Sequence, residues 1–165
     1  MRLKMISALA AALLLAACAS DEPVATGDAA GSGSSTTDGL SQGAVTPGSA
    51  QDFQQNVGDR VFFETDRYDL SAEAQSQLQK QAAWLSQYPA TTVTVEGHCD
   101  ERGTREYNLA LGERRANAVA NYLTALGVDA GRLSVISYGK ERPDCTDSNE
   151  GCWAQNRRGV TSVNQ

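Results

Sequence analysis

The chain has 165 residues, a formal net charge of −6 and one histidine. So acidic a chain lacks the basic face that phosphate binding requires, which excludes nucleic acid as a partner. It also excludes adhesion to an anionic membrane by charge alone. The single His leaves a hydrolytic metal centre short of its usual ligands.

Arg2 and Lys4 form a short basic start, and Met5 to Ala17 is apolar or small except for Ser7. That run falls short of the about 20 residues needed to span a bilayer. It fits the apolar core of a secretory signal peptide. Its end, Leu15-Ala16-Ala17-Cys18, resembles a bacterial lipobox, which implies cleavage after residue 17 and acylation of Cys18. An ordinary signal peptide with an incidental Cys18 is the alternative. Removing residues 1–17 leaves 148 residues and a charge of −8. Among lipoproteins an Asp after the cysteine favours retention in the inner membrane. Ala19 stands there instead and favours the outer membrane.

Residues 18–51 read as a disordered tether. From Ala19 to Ala50 there are six Gly, six Ser, four Thr and six Ala, with no aromatic residue and no Lys or Arg. Such a segment cannot bury enough apolar surface to offset its ordering entropy. Its flexible reach is roughly 30 Å.

Residues 52–165 are enough for one core. Arg60 to Phe63 predicts a strand. Ser71 predicts a helix N-cap with Glu73 in the first turn, and Pro89 stops that helix near Tyr88. Thr91 to Glu96 is β-branched and alternating, a second strand. Thr104 opens a long helix that Gly127 ends. Leu133 to Tyr138 and Val160 to Val163 complete four strands. This order predicts an α/β sandwich, with helices packed on one face of a mixed four-stranded sheet.

At 100° per residue, Leu109, Gly112, Ala116, Val119, Ala120, Leu123 and Leu126 share one side of the long helix, the expected core face. Arg114 falls opposite, as a solvated charge. Arg115 falls on the flank with Asn108, Leu111 and Tyr122, where a helix lines a cleft. Asp100 lies in the turn that leads from the second strand into this helix. Such strand ends are common ligand sites. Asp100 also suits a simple turn, and Arg115 an ion pair with Glu64, Asp100 or Glu101; sequence spacing leaves both readings open.

The stretch from Gly97 to Leu123, GHCDERGTREYNLALGERRANAVANYL, resembles the signature of the OmpA-like peptidoglycan-binding family. Its DERGT and EYN runs look like the lipoprotein branch that works with the Tol system. The resemblance implies a βαβαβ-β domain and a ligand, meso-diaminopimelate of the peptidoglycan stem. It implies that Asp100 and Arg115 bind that ligand, that Asn108 and Leu111 line the groove, and that Asp66 contributes a wall. Arg158 is implied first as support and second as a contact. An acid and a forked base can together hold the ammonium and carboxylate carried on one carbon. The implied partners are peptidoglycan, the outer membrane through the N-terminal lipid, and Tol proteins, chiefly TolB. The implied role is envelope integrity and constriction at division, with no cofactor. A wall-binding lipoprotein outside the Tol system is the second reading.

An enzyme acting on peptidoglycan is the third. His98 and Cys99 adjoin, but neighbouring strand residues face opposite ways, poor geometry for a base and its nucleophile. The oxidising compartment implied by the leader predicts a Cys145–Cys152 disulfide. Cys99 is then a small, partly buried residue, where the family commonly has Ala or Thr. A zinc site on His98, Cys99, Cys145 and Cys152 would need a tighter cysteine spacing than this. His98 reads as a polar residue that orders the turn.

Overall fold

In the computed structural model, residues 45–164 are described; the leader, Cys18 and the tether up to residue 44 lie outside them. The last residues assigned to the tether belong to the fold. Ser49 caps a short helix α1 (Ala50–Asp52), which continues as a wider turn through Val57 and ends at Gly58. The Asp52 carboxylate accepts from the Gly48 N–H and from Trp84 Nε1, both at 2.9 Å. Phe53 packs on Trp84 with ring centroids 4.8 Å apart. The folded unit therefore reaches back further than an expected start at Asp52.

Four strands follow, β1 (Arg60–Phe62), β2 (Val93–His98), β3 (Leu133–Gly139) and β4 (Arg158–Val163). They form one mixed sheet in the order β1-β4-β2-β3. β2 runs parallel to β3 and antiparallel to β4, and β1 pairs antiparallel with β4 at the edge. The second strand starts at Val93 rather than Thr91. The Thr91 N–H is already tied to Tyr88 in a turn, and its carbonyl accepts from Arg132.

Helix α2 (Ala72–Gln87) begins as predicted, with Ser71 Oγ accepting from the Ala74 N–H. Its last turn leaves carbonyls without helical donors. Arg132 supplies them, donating to Leu85 at 3.0 Å and to Tyr88 at 2.9 Å. Helix α3 (Arg105–Ala125) is capped by Thr104 and stops before Gly127, whose φ of 96° suits a left-handed cap. Leu78, Leu85, Val93, Val95, Val119 and Leu123 meet in the core between these two helices and the sheet.

The rotation of α3 differs from the expected one. Leu109 and Leu126 are exposed, at 48% and 37%. The buried side keeps Gly112, Ala116, Val119, Ala120 and Leu123 of the expected face and adds Asn108, Leu111 and Arg115 from its flank. Two things turn the helix. A Cβ built on Gly97 would lie 1.8 Å from the Gly112 carbonyl, so helix and strand meet here backbone to backbone. The Arg115 side chain is also drawn inward by carbonyls, which a hydropathy pattern cannot register. A further helix went unpredicted, α4 (Glu150–Asn156), capped by the Asn149 side chain, which accepts from the Cys152 N–H. It lies in a polar segment too short to show an apolar period.

Candidate functional site

The site is built where β2 ends and α3 begins. Beyond His98 the chain turns through Asp100, Glu101, Arg102 and Gly103 before Thr104 starts the helix. Asn108 holds this turn down from the first turn of α3. Its amide donates to the carbonyls of Arg102 at 2.7 Å and Thr104 at 3.0 Å. Lys140 ties the outer side, donating to the carbonyls of Glu101 and Gly103. The turn is thus fixed by side chains on two other elements.

A pocket of about 310 Å³ opens between this turn, α3 and the loop after β1. Asp66, Asp100, Asn108, Leu111 and Arg115 all line it, together with Thr65, Cys99, Arg102, Gly103 and Tyr107. The structure therefore brings together five of the six residues singled out for the ligand. Asp66 sits in the β1–α2 loop at φ 58°, a left-handed conformation that Asp tolerates better than most residues.

Arg115 is fully buried. Its guanidinium donates to three backbone carbonyls: Arg67 at 2.8 Å, His98 at 2.8 Å and Glu64 at 3.0 Å. It also lies 5.2 Å from the Phe63 ring centroid. No carboxylate pairs with it among the described residues. The expected alternative, an ion pair with Glu64, Asp100 or Glu101, is therefore not formed; only the Glu64 backbone is used. Burial pushes its pKa down, yet a guanidinium stays charged in proteins. The result is a fixed cation, oriented by neutral acceptors, with no carboxylate in direct contact among the described residues.

Asp100 lies on the same pocket and is nearly buried. Arg102 donates to it from its backbone N–H at 3.1 Å, from Nε at 3.2 Å and from Nη2 at 2.7 Å. Arg157 adds a fourth contact from Nη1 at 3.3 Å. Burial alone would disfavour the carboxylate, but these bonds and charges outweigh it and hold its pKa below the usual carboxylate range. Asp100 is ionised and already partnered within the protein, by arginines that sequence spacing did not connect to it.

The pair Arg157-Arg158 divides between two faces of the sheet. Gly159 and Thr161 face the helices, against Val119 and Gln81 respectively. With a period of two, Arg157 joins that side and Arg158 the other. Arg157 bonds Phe63 O, Asp100 and Glu150. Arg158 is buried away from the pocket, donating to the carbonyls of Asn156 and Arg142. Support is the role its geometry gives; Arg157 is the residue that sequence reasoning passed over. The sequence carried no such signal: the apolar Val160 suggests the opposite phase, and only the structure shows Gly159 and Thr161 facing the helices.

The remaining candidates fall away from ligand chemistry. Cys145 and Cys152 are joined by a disulfide, which removes two of the four groups a zinc site would use. The Cys99 thiol donates to the Asn108 carbonyl at 3.3 Å, and burial raises its pKa, so it is an unreactive thiol. The His98 ring is buried on the opposite face, 3.3 Å from Glu96. Its carbonyl, rather than its ring, serves the site by holding Arg115. The arrangement as a whole contains a fixed cation and an ionised acid but no paired nucleophile and base. It is equipped to receive a small charged group.

Known proteins share this sequence and fold. The profile of the OmpA family matches residues 62–157. The chain is 54% identical to the peptidoglycan-associated lipoprotein of Rhizobium meliloti, over 93% of this chain and 84% of that one. It is 45% identical to the peptidoglycan-associated lipoprotein of Haemophilus influenzae, over 88% of each. Among solved structures, the peptidoglycan-associated lipoprotein from Burkholderia pseudomallei superposes with a TM-score of 0.63 at 40% identity. That match covers 64% of this chain and 90% of the other. The C-terminal domain of Helicobacter pylori MotB shares the fold alone, at 21% identity and a TM-score of 0.61.

Proposed function

We propose, for a chain that belongs to the OmpA family, that it is a non-enzymatic peptidoglycan-binding lipoprotein whose pocket takes the meso-diaminopimelate of the stem peptide. The observation that carries the ligand is Arg115: a buried guanidinium, aimed by three carbonyls, with no acid of its own. A cation so placed is a receptor for a carboxylate, which it can meet with the one N–H that each of Nη1 and Nη2 keeps free. Asp100 on the same pocket supplies the complementary charge for an ammonium. Together they suit the zwitterionic end of meso-diaminopimelate, whose ammonium and carboxylate share one carbon. Leu111 offers an apolar wall for the methylene chain, and Asp66 closes the far side.

On this reading the protein links two layers of the envelope. Residues 1–17 are a leader, Cys18 carries the lipid, and the segment before Ser49 is a tether between the outer membrane and a wall-binding domain facing the periplasm. The relatives named above support that role, and the DERGT and EYN runs support a place in the Tol system with TolB as partner and a part in division. Calorimetric titration tests the ligand. The tripeptide L-Ala-D-Glu-meso-diaminopimelate binds, whereas the same tripeptide ending in lysine, which lacks the second carboxylate, does not. Equal heats from both would defeat the assignment. The anchor is tested by Cys18→Ser in cells. The variant moves from the membrane to the soluble fraction, and continued membrane fractionation would defeat the lipid reading.

A further inference from the structure

The free site presents a contradiction. If Asp100 is to receive an ammonium, its carboxylate must have room for one. It accepts instead from Arg102 at both oxygens and from Arg157 at one of them. The pocket also holds Arg115, which is bonded by carbonyls and by no acid among the described residues. An incoming ammonium therefore meets a carboxylate whose two oxygens already accept from guanidinium donors.

The two arginines on Asp100 are not equivalent. The Arg157 side chain is 5% exposed and is pinned between the Phe63 carbonyl and Glu150. The Arg102 side chain is 39% exposed and lines the pocket. Its remaining bond is a long one, 3.3 Å from Nη2 to Thr65 Oγ1 across the pocket mouth. It has an alternative support, since its guanidinium lies 4.2 Å from the Trp153 ring centroid. Trp153 is itself held by its indole N–H on Glu101 at 3.0 Å and sits in α4, directly after the disulfide cysteine Cys152. Gly103, at φ 89°, follows Arg102 in the turn.

We propose that Arg102 is a latch on the ammonium subsite: its guanidinium occupies Asp100 in the free protein and yields that place to the ligand, remaining on the face of Trp153. The inference rests on the ligand reading above and adds its regulation. Arg157, pinned and buried, is the permanent partner of Asp100, and Arg102 is the exchangeable one. Binding is then an exchange of one cation for another, and each ligand must displace an internal competitor. A ligand without the ammonium has nothing to offer Asp100 in return, so the latch adds selectivity for the zwitterion at a cost in affinity.

The test is calorimetric titration of the meso-diaminopimelate tripeptide into the protein expressed with its complete sequence and purified in detergent. Arg102→Gln removes the competing cation from an exposed position, and the peptide binds roughly fivefold tighter, the scale set by a partly exposed ion pair. Arg102→Lys keeps a cation and returns the affinity toward that of the unaltered protein. In an Asp100→Asn background Arg102→Gln brings no gain, because the subsite it guards is gone. Damage to the fold would weaken binding and cannot imitate the gain. If the unaltered protein binds and Arg102→Gln binds equally or more weakly, the latch is wrong and the ligand reading stands. If neither binds, both are wrong.

Discussion

At the residue scale, the site depends on how two charges are held in a poorly polar surrounding. Arg115 is satisfied by carbonyls and keeps its charge for something else. Replacing it with Ala would leave those three acceptors without their donor, at a cost of about 1–3 kcal/mol for each one left buried and unpaired. Arg115→Ala therefore confounds binding with stability, and Arg115→Lys is the cleaner probe because it keeps charge and length while losing the fork. Asp100 behaves oppositely, as an acid stabilised by donors. Its folded pKa lies below that of the unfolded chain. The unfolded state thus binds the proton more readily, and the stabilisation is complete above about pH 4. It is lost as pH falls further, through the folded value. Melting temperatures measured from pH 6 to pH 2 should fall more steeply below about pH 4 for the unaltered protein than for Asp100→Asn. Parallel profiles would show that these bonds stabilise nothing. Sequence alone identified both residues as candidates, yet could not tell that Asp100 is already occupied. Occupancy depends on Arg102 two residues on and Arg157 far along the chain, meeting only in the fold.

At the element scale, the pocket exists because α3 lies unusually close to β2. Gly97 and Gly112 make that approach, with no room for a Cβ on Gly97. The crossing sets both the depth of the helix and its rotation, and so decides that Arg115 points inward while Arg114 lies exposed over Tyr68. Gly97→Ala should lower stability by about 3 kcal/mol or more, since the clash is with backbone and no rotamer relieves it. Urea unfolding measures this, and a loss under about 1 kcal/mol would mean the helix can lift off without consequence. The elements themselves were legible because their signals are local. Ser71, Thr104, Pro89 and Gly127 mark ends through single side chains or backbone angles, and each end falls within a residue or two of its marker. The rotation of α3 was misread because Leu109 and Leu126 are apolar but exposed, while Arg115 and Asn108 are polar but buried through hydrogen bonds. A hydropathy pattern weighs side chains by transfer from water and cannot count acceptors supplied by another part of the chain. Helix α4 was missed for a related reason. It is held by the Asn149 cap, the disulfide and the Arg157–Glu150 pair rather than by an apolar stripe.

At the scale of the whole molecule, the chain divides its tasks along its length. On the proposed reading the leader and Cys18 address the protein to a membrane and the segment after them gives reach, while residues 62–157 match the OmpA family. On that reading, anchoring the domain near the wall raises the local concentration of the wall around the pocket, so an individually modest affinity suffices for attachment. Modest affinity also allows release, which the exchange of Arg102 for the ligand would favour. The most direct test of this account is co-sedimentation of the protein with purified sacculi of two chemistries. The unaltered protein should pellet with walls containing meso-diaminopimelate and stay in solution with walls containing lysine at that position. Asp100→Asn and Arg115→Lys should stay in solution with both. Equal pelleting with the two wall types, or pelleting of the variants as well as the parent, would contradict recognition of the zwitterion by Asp100 and Arg115.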